Sequence, residues 1–209
     1  RIDDAICAGF GWELGPFATW DAVGIAPAVQ AMEAAGYKPA SWIYEMLSGG
    51  NTTFYKVAAG QSMYYDIPSK SYKKIPGKDA FIILDNLSEQ IVWKNAESKI
   101  TDLGDGIINF SWNSKSYTLG SAVVEGLNKS IEVAEKDFRG LVVGHQGADF
   151  SLGANLGMVF MCAIEQDYDE LDFMVRAFQN TVMRLRYSSI PVVVCPQSRT
   201  LGGGCEMTM

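Results

Sequence analysis

The stretch PSKSYKKIPGKD, residues 68–79, divides this chain into two parts that follow different patterning rules. Pro68, Pro76 and Gly77 interrupt any helix or central strand, and Lys70, Lys73, Lys74 and Lys78 load the segment with charge. That composition reads as a connector. A phosphate or membrane patch is the sharper reading, but lysines on a connector are ordinarily just solvated. Ahead of it the chain reads as short helices. Gly15-Pro16 ends one segment and opens the next, Pro27 and Gly36 bracket AVQAMEAA, and Pro39 and Gly49 bracket ASWIYEMLS. Proline suits the first helical turn and glycine the position past the last. TFYKVAAGQSMYYDI then reads as a hairpin about Ala59-Gly60-Gln61.

Past the connector the texture is mixed. KITDLGDGIINFSWN reads as a hairpin turning at Gly104-Asp105-Gly106. Leu119, Val123, Leu127, Ile131 and Ala134 recur at helical spacing, as do Leu171, Met174, Phe178, Val182 and Leu185. GLVVGH and VVV read as buried strands. The expected organisation is a helical domain over 1–67, a linker over 68–90 and an α/β domain over 91–209.

With 48% apolar and 20% charged residues the chain can build packed cores. A net charge of −7 argues against a nucleic-acid binder, which needs a dense basic face, yet permits an anionic small ligand, which meets a local field. Cys7, Cys162, Cys195 and Cys205 are scattered without metal-ligand spacing, and His145 is the only histidine, so no metal is expected. Free thiols, no signal peptide and no apolar run of about 18 residues give the expectation of a cytoplasmic protein without a transmembrane segment.

Two strand ends carry the chemistry. GLVVGHQGADF and VVVCPQSRTLGGGCE each run from a buried strand into a glycine-containing turn. Glycine lets a ligand approach the backbone, and a helix start exposes unpaired N–H groups. Two such turns brought together would present two donors to one oxygen, an arrangement that stabilises an enolate. Glu206 lies three residues after Gly203, on the same face one helical turn on, placed for proton transfer or for orienting water. Taken alone, the glycine run reads first as a tight packing turn, with a glutamate that merely favours a helix N-terminus. His145 reads as a strand-capping residue rather than a catalytic one.

Together, HQGADF and LGGGCE, separated by a long helix and a Pro-Val-Val-Val strand, resemble the enoyl-CoA hydratase (crotonase) family over residues 91–209. The resemblance implies an oxyanion hole from the N–H groups of Ala148 and Gly203, and Glu206 as the first catalytic glutamate. It also implies contacts with the adenine end of coenzyme A through the backbone of Gln146, Gly147, Ala148, Asp149 and Phe150. GFGWELGPFATWDAVG, with its GPF-x-x-x-D-x-x-G run, is similar to the helical C-terminal domain of 3-hydroxyacyl-CoA dehydrogenases.

The fold class so implied is α+β: a small all-α dehydrogenase C-terminal domain with a hairpin, then a crotonase-like ββα-spiral α/β domain, both cut short. The order of the two matches one class of bifunctional fatty-acid β-oxidation enzyme. In such a parent NAD would bind outside these residues, acyl-CoA thioesters would be the substrates, and the protein would be a homo-oligomer. The family's second glutamate would fall beyond Glu206, so the 209 residues alone are expected to be inactive. Two departures from the family pattern stand at Gln146, where a small residue is usual, and Ser198, where glycine is common. Crotonase-fold isomerase or hydrolase chemistry, or a non-catalytic acyl-CoA-binding or assembly role, are the alternatives.

Overall fold

In the computed structural model, residues 1–78 and 81–209 are described, and they form two compact units meeting in sequence between Ile82 and Ile83. The first unit holds helices α1 (Ile2–Phe10), α2 (Pro16–Val23), α3 (Ile25–Ala34) and α4 (Ser41–Ser48). An antiparallel sheet follows, with β1 (Tyr55–Ala58), β2 (Gln61–Asp66) and β3 (Ser71–Lys74) in that order. Its core is Ile25, Val29, Ile43, Met46, Phe54 and Tyr65.

The GPF-x-x-x-D-x-x-G run builds this unit. A Cβ on Gly15 would stand 2.3 Å from Asp3 Cα, so only glycine lets α1 approach. Pro16 opens α2, whose exposed N–H groups at Phe17 and Ala18 donate to the Asp3 carboxylate at 2.9 and 2.8 Å. Phe17 and Trp20 meet the Phe54 ring edge-on. Asp21 accepts the N–H groups of Phe54 and Tyr55 at 2.7 and 2.9 Å, which pins the start of β1 to α2. Burial, with the Asp3 carboxylate beside it, pushes the Tyr55 hydroxyl up to about 12. Replacing Asp21 by Ala strands two N–H groups that both bonded a charge. The first unit is expected to lose about 1.5–3 kcal/mol, read as a lower urea midpoint in the full chain.

The lysine-rich segment departs from the connector expectation. Residues 71–74 pair with β2 in the register Tyr65↔Tyr72, and Tyr72 packs edge-on against Tyr65 while donating its hydroxyl hydrogen to Thr53 O at 2.6 Å. One anchored aromatic outweighs the surrounding charge. Lys70 and Lys73 pair with Glu45 and Asp66, surface contacts worth little by themselves. Asp79 and Ala80 of the expected linker lie outside the described residues, and Leu84–Gln90 is a 3₁₀ segment of the second unit, kinked at Leu87 and packed on residues 98–104.

The second unit is a five-stranded sheet, β4 (Ile91–Lys94), β5 (Ser98–Gly104), β6 (Ile107–Trp112), β7 (Gly140–Val143) and β8 (Val192–Val194), in that order. The first three strands are antiparallel, and β6, β7 and β8 are parallel. Helix α5 (Ser121–Asp137) crosses from β6 to β7, and α6 (Leu156–Glu165) and α7 (Tyr168–Arg186) lie between β7 and β8. The predicted stripe on α5 is the core: Val123, Leu127 and Ala134 are fully buried and Ile131 nearly so. Gly126 marks its closest approach to the sheet, where a Cβ would meet Phe110 at 2.8 Å. The expected burial of VVV holds only in part. Val193 is exposed, and Val192 and Val194 on the opposite face are half-buried against the core. Helix α8 (Gly203–Thr208) closes the chain. Among the described residues no helix is long and apolar enough to cross a membrane.

Candidate functional site

The site is set by how two parallel segments leave the sheet. In β7 and β8, partners are Leu141↔Val192 and Val143↔Val194, fifty-one positions apart. The pairing resumes at Ser151↔Thr200, forty-nine positions apart. Two surplus residues on the first segment must therefore bulge between these points, and HQGAD is that bulge.

The bulge is held from within. Gly147 N–H donates to His145 Nδ1 at 3.1 Å, so His145 carries its proton on Nε2 and donates it to Phe150 O at 2.9 Å. The imidazole is buried, stacked on Tyr117 at 4.5 Å and met edge-on by Trp112. Burial pushes its pKa below the ordinary histidine value, against a smaller opposing effect of the Phe150 carbonyl. The sign follows: as pH falls below about 6.5 the unfolded chain takes up the proton first, so this contribution to stability is complete above that pH and lost below it. His145 is the only histidine, so the urea midpoint of the second unit should drop between about pH 7.5 and 5.5, a slope that His145→Asn removes.

The residues expected to contact coenzyme A separate into two groups. Gly147 N–H and C=O are both engaged inside the protein, and a Cβ there would strike the Tyr117 ring. Phe150 is fully buried, its N–H donates to Gln197 O and Arg199 O, and its carbonyl accepts from His145. Neither has a group left for a ligand. The Asp149 carboxylate is taken by Arg199 in a bidentate pair at 2.9 and 2.6 Å and by Ser198 Oγ at 3.0 Å; Arg199 above all holds it at about 2. Gln146 and Ala148 are exposed, and Gln146 Oε1 accepts from Leu84 N–H. Ser198 has φ 51°, a left-handed conformation that explains why glycine suits this position.

Past Ser151↔Thr200 the two turns meet. Gly153 (φ 88°) lies against the glycine run, where a Cβ would stand 3.4 Å from Gly202 Cα and 3.5 Å from Gly203 N. Gly153 O accepts Leu119 N–H at 2.9 Å. In a trans peptide the N–H opposes the C=O, so this bond aims the Ala154 N–H away from Leu119. Gly202 O accepts the N–H groups of Cys205 and Glu206, which aims the Gly203 N–H outward from the start of α8. Neither the Ala154 nor the Gly203 N–H has an acceptor among the described residues. Counted from the Ser151↔Thr200 bridge, Ala154 and Gly203 stand level, whereas Ala148 stands level with Gln197. The structure thus brings Gly203 beside Ala154, not Ala148, because the two-residue surplus falls ahead of the bridge. Glu206 is exposed one turn into α8, and its carboxylate has no hydrogen-bond partner among the described residues.

Ala154 was legible in the sequence. SLGANL is a glycine followed by an N-capping asparagine and an apolar helix, a glycine turn leading into a helix start as in LGGGCE. The Asn155 side chain does accept from the N–H groups of Gly157 and Met158.

No protein-family model matches the chain. A Bacillus subtilis protein named "Probable 3-hydroxyacyl-CoA dehydrogenase" is 40% identical over 98% of this chain. A Rickettsia felis protein named as a trifunctional enzyme of the fatty acid oxidation complex is 27% identical over all of it. The chain is similar to proteins named for 3-hydroxyacyl-CoA dehydrogenation and for fatty acid oxidation.

The chain spans 26% of the length of each of those two relatives. Its structural neighbours include an enoyl-CoA hydratase from Bacillus halodurans, 17% identical, covering 54% of this chain and 46% of that one with a TM-score of 0.49. An enoyl-CoA hydratase/isomerase from Xanthobacter autotrophicus Py2 is 21% identical, covering 55% and 43% with a TM-score of 0.47. The two relatives are named for dehydrogenation of 3-hydroxyacyl-CoA and for fatty acid oxidation.

Proposed function

We propose that the second unit belongs to the hydratase half of a fatty acid oxidation enzyme and polarises an enoyl-CoA thioester between the Ala154 and Gly203 N–H groups. The observation that supports this reading is the register at Ser151↔Thr200, which makes Ala154 and Gly203 level, two N–H groups without an acceptor among the described residues, with the Glu206 carboxylate one turn away. A thioester oxygen between those groups gains two hydrogen bonds as charge accumulates on it, and C3 of the enoyl group becomes electrophilic. Glu206 orients water and takes its proton as the oxygen bonds C3, and the enolate then accepts a proton at C2. The net change is one water added across the double bond. The C2 proton returns from Glu206 or from a second carboxylate in the remainder of a full-length protein. Helix α6 leaves directly from this turn with Leu156, Met158 and Phe160 exposed, apolar surface suited to an acyl chain.

The first unit, in this reading, is the helical domain of the dehydrogenase half. NAD would bind elsewhere in a full-length protein, since no G-x-G-x-x-G follows a strand here. The test is hydration of crotonyl-CoA by the full-length protein carrying this chain. Loss of the enoyl thioester's ultraviolet absorbance with formation of 3-hydroxybutyryl-CoA is expected; no turnover and no binding overturns the reading.

A further inference from the structure

We infer that Gln197 is a positioning residue for the Ala154–Gly203 donor pair, an inference that rests on the acyl-thioester reading above. Two surplus residues in a parallel ladder leave main-chain carbonyls without ladder partners. Here those of His145 and Gly147 both accept from the Gln197 carboxamide, whose Nε2 stands 2.8 and 2.7 Å away. The main-chain oxygen of Gln197 takes the Phe150 N–H at 3.0 Å. One residue therefore closes the bulge from its side chain and its backbone together. The next two residues complete the strap, with Ser198 in the left-handed region and Arg199 on Asp149.

The consequence lies downstream. Phe150 N–H and Ser151 N–H reach Arg199 O, and Leu201 N–H reaches Ser151 O. Those bonds fix the level at which the chains arrive, three residues later, at Ala154 and Gly203. Without the carboxamide the surplus is free to redistribute along the first segment, and Ala154 shifts against Gly203. Gln197 donates both Nε2 hydrogens to main-chain carbonyls, so it offers substrate neither proton nor charge. Its effect runs through the peptides it orients.

The experiment uses the full-length protein carrying this chain, with Gln197→Leu and Gln197→Glu. Glu keeps the side-chain volume but cannot donate to both carbonyls, so it decides the matter if Gln197→Leu fails to fold. The readouts are kcat and KM for crotonyl-CoA, the melting temperature, and the absorbance red shift of bound cinnamoyl-CoA, which reports how strongly two donors polarise the thioester carbonyl. Both variants should lose about 10–10²-fold in kcat, the scale of an ångström-sized misplacement, with KM nearly unchanged and a smaller red shift. An undiminished red shift and kcat in folded variants, whatever the melting temperature does, would make Gln197 purely structural and overturn the inference. Absence of both shift and turnover in the unmodified protein would instead bring down the acyl-thioester reading, and this inference with it.

Discussion

Exchanging the Ala154 amide for an ester, by placing the matching α-hydroxy acid at that position, should lower kcat for enoyl-CoA hydration by about 10²–10³-fold. The exchange turns one N–H into an oxygen and leaves the side chain and chain path in place. That N–H has no acceptor within the described residues, and the one bond the exchange weakens is that from Leu119 N–H to the Gly153 carbonyl, so folding stability should fall by no more than about 1 kcal/mol, which separates a catalytic loss from a structural one. The same exchange at Ala148 is the control. Its N–H is level with Gln197, remote in register from Gly203, and the exchange only weakens the Gly147 carbonyl that one Gln197 hydrogen meets, so hydration should fall by no more than the loss expected for Gln197→Leu. A large loss at Ala148 with little at Ala154 would restore the first turn as the donor and refute the register argument.

Glu206→Gln should lower hydration by about 10²–10⁴-fold in the full-length protein while leaving acyl-CoA binding little changed. Glutamine preserves the shape and the helix but cannot take a proton from water. The carboxylate has no hydrogen-bond partner among the described residues, so no structural bond is lost with it, and the melting temperature should barely move. The backbone donors at Ala154 and Gly203 remain, so binding persists. Dehydrogenase turnover should also persist, since it belongs to the other half of such an enzyme. A hydration rate within about threefold of the unmodified protein would reduce Glu206 to a residue that favours a helix start.

Much of the fold was legible because local signals and tertiary packing agree. Both hairpins form where their turns were read, with Ala59-Gly60 and Asp105-Gly106 at positive φ between paired strands. The apolar stripe of α5 became the core of the second unit without exception. Composition misled where one residue outweighs many. Tyr72, among four lysines, finds Tyr65 and Thr53, and a segment that reads as a connector becomes a strand.

The helix and strand periods, the glycine-containing turns and a carboxylate one helical turn past Gly203 could be read from the chain directly, because each depends on neighbours within a few positions. Which glycine turn faces Gly203 was decided by the tertiary structure alone. Ala148 and Ala154 both follow a glycine, and both are legible as donors until β7 and β8 are laid side by side. Only then does the difference of two residues between the pairings Val143↔Val194 and Ser151↔Thr200 appear, since register is a relation between strands distant in sequence. The surplus becomes the HQGAD bulge, Gln197 and Arg199 hold it shut, and the N–H that emerges beside Gly203 is that of Ala154.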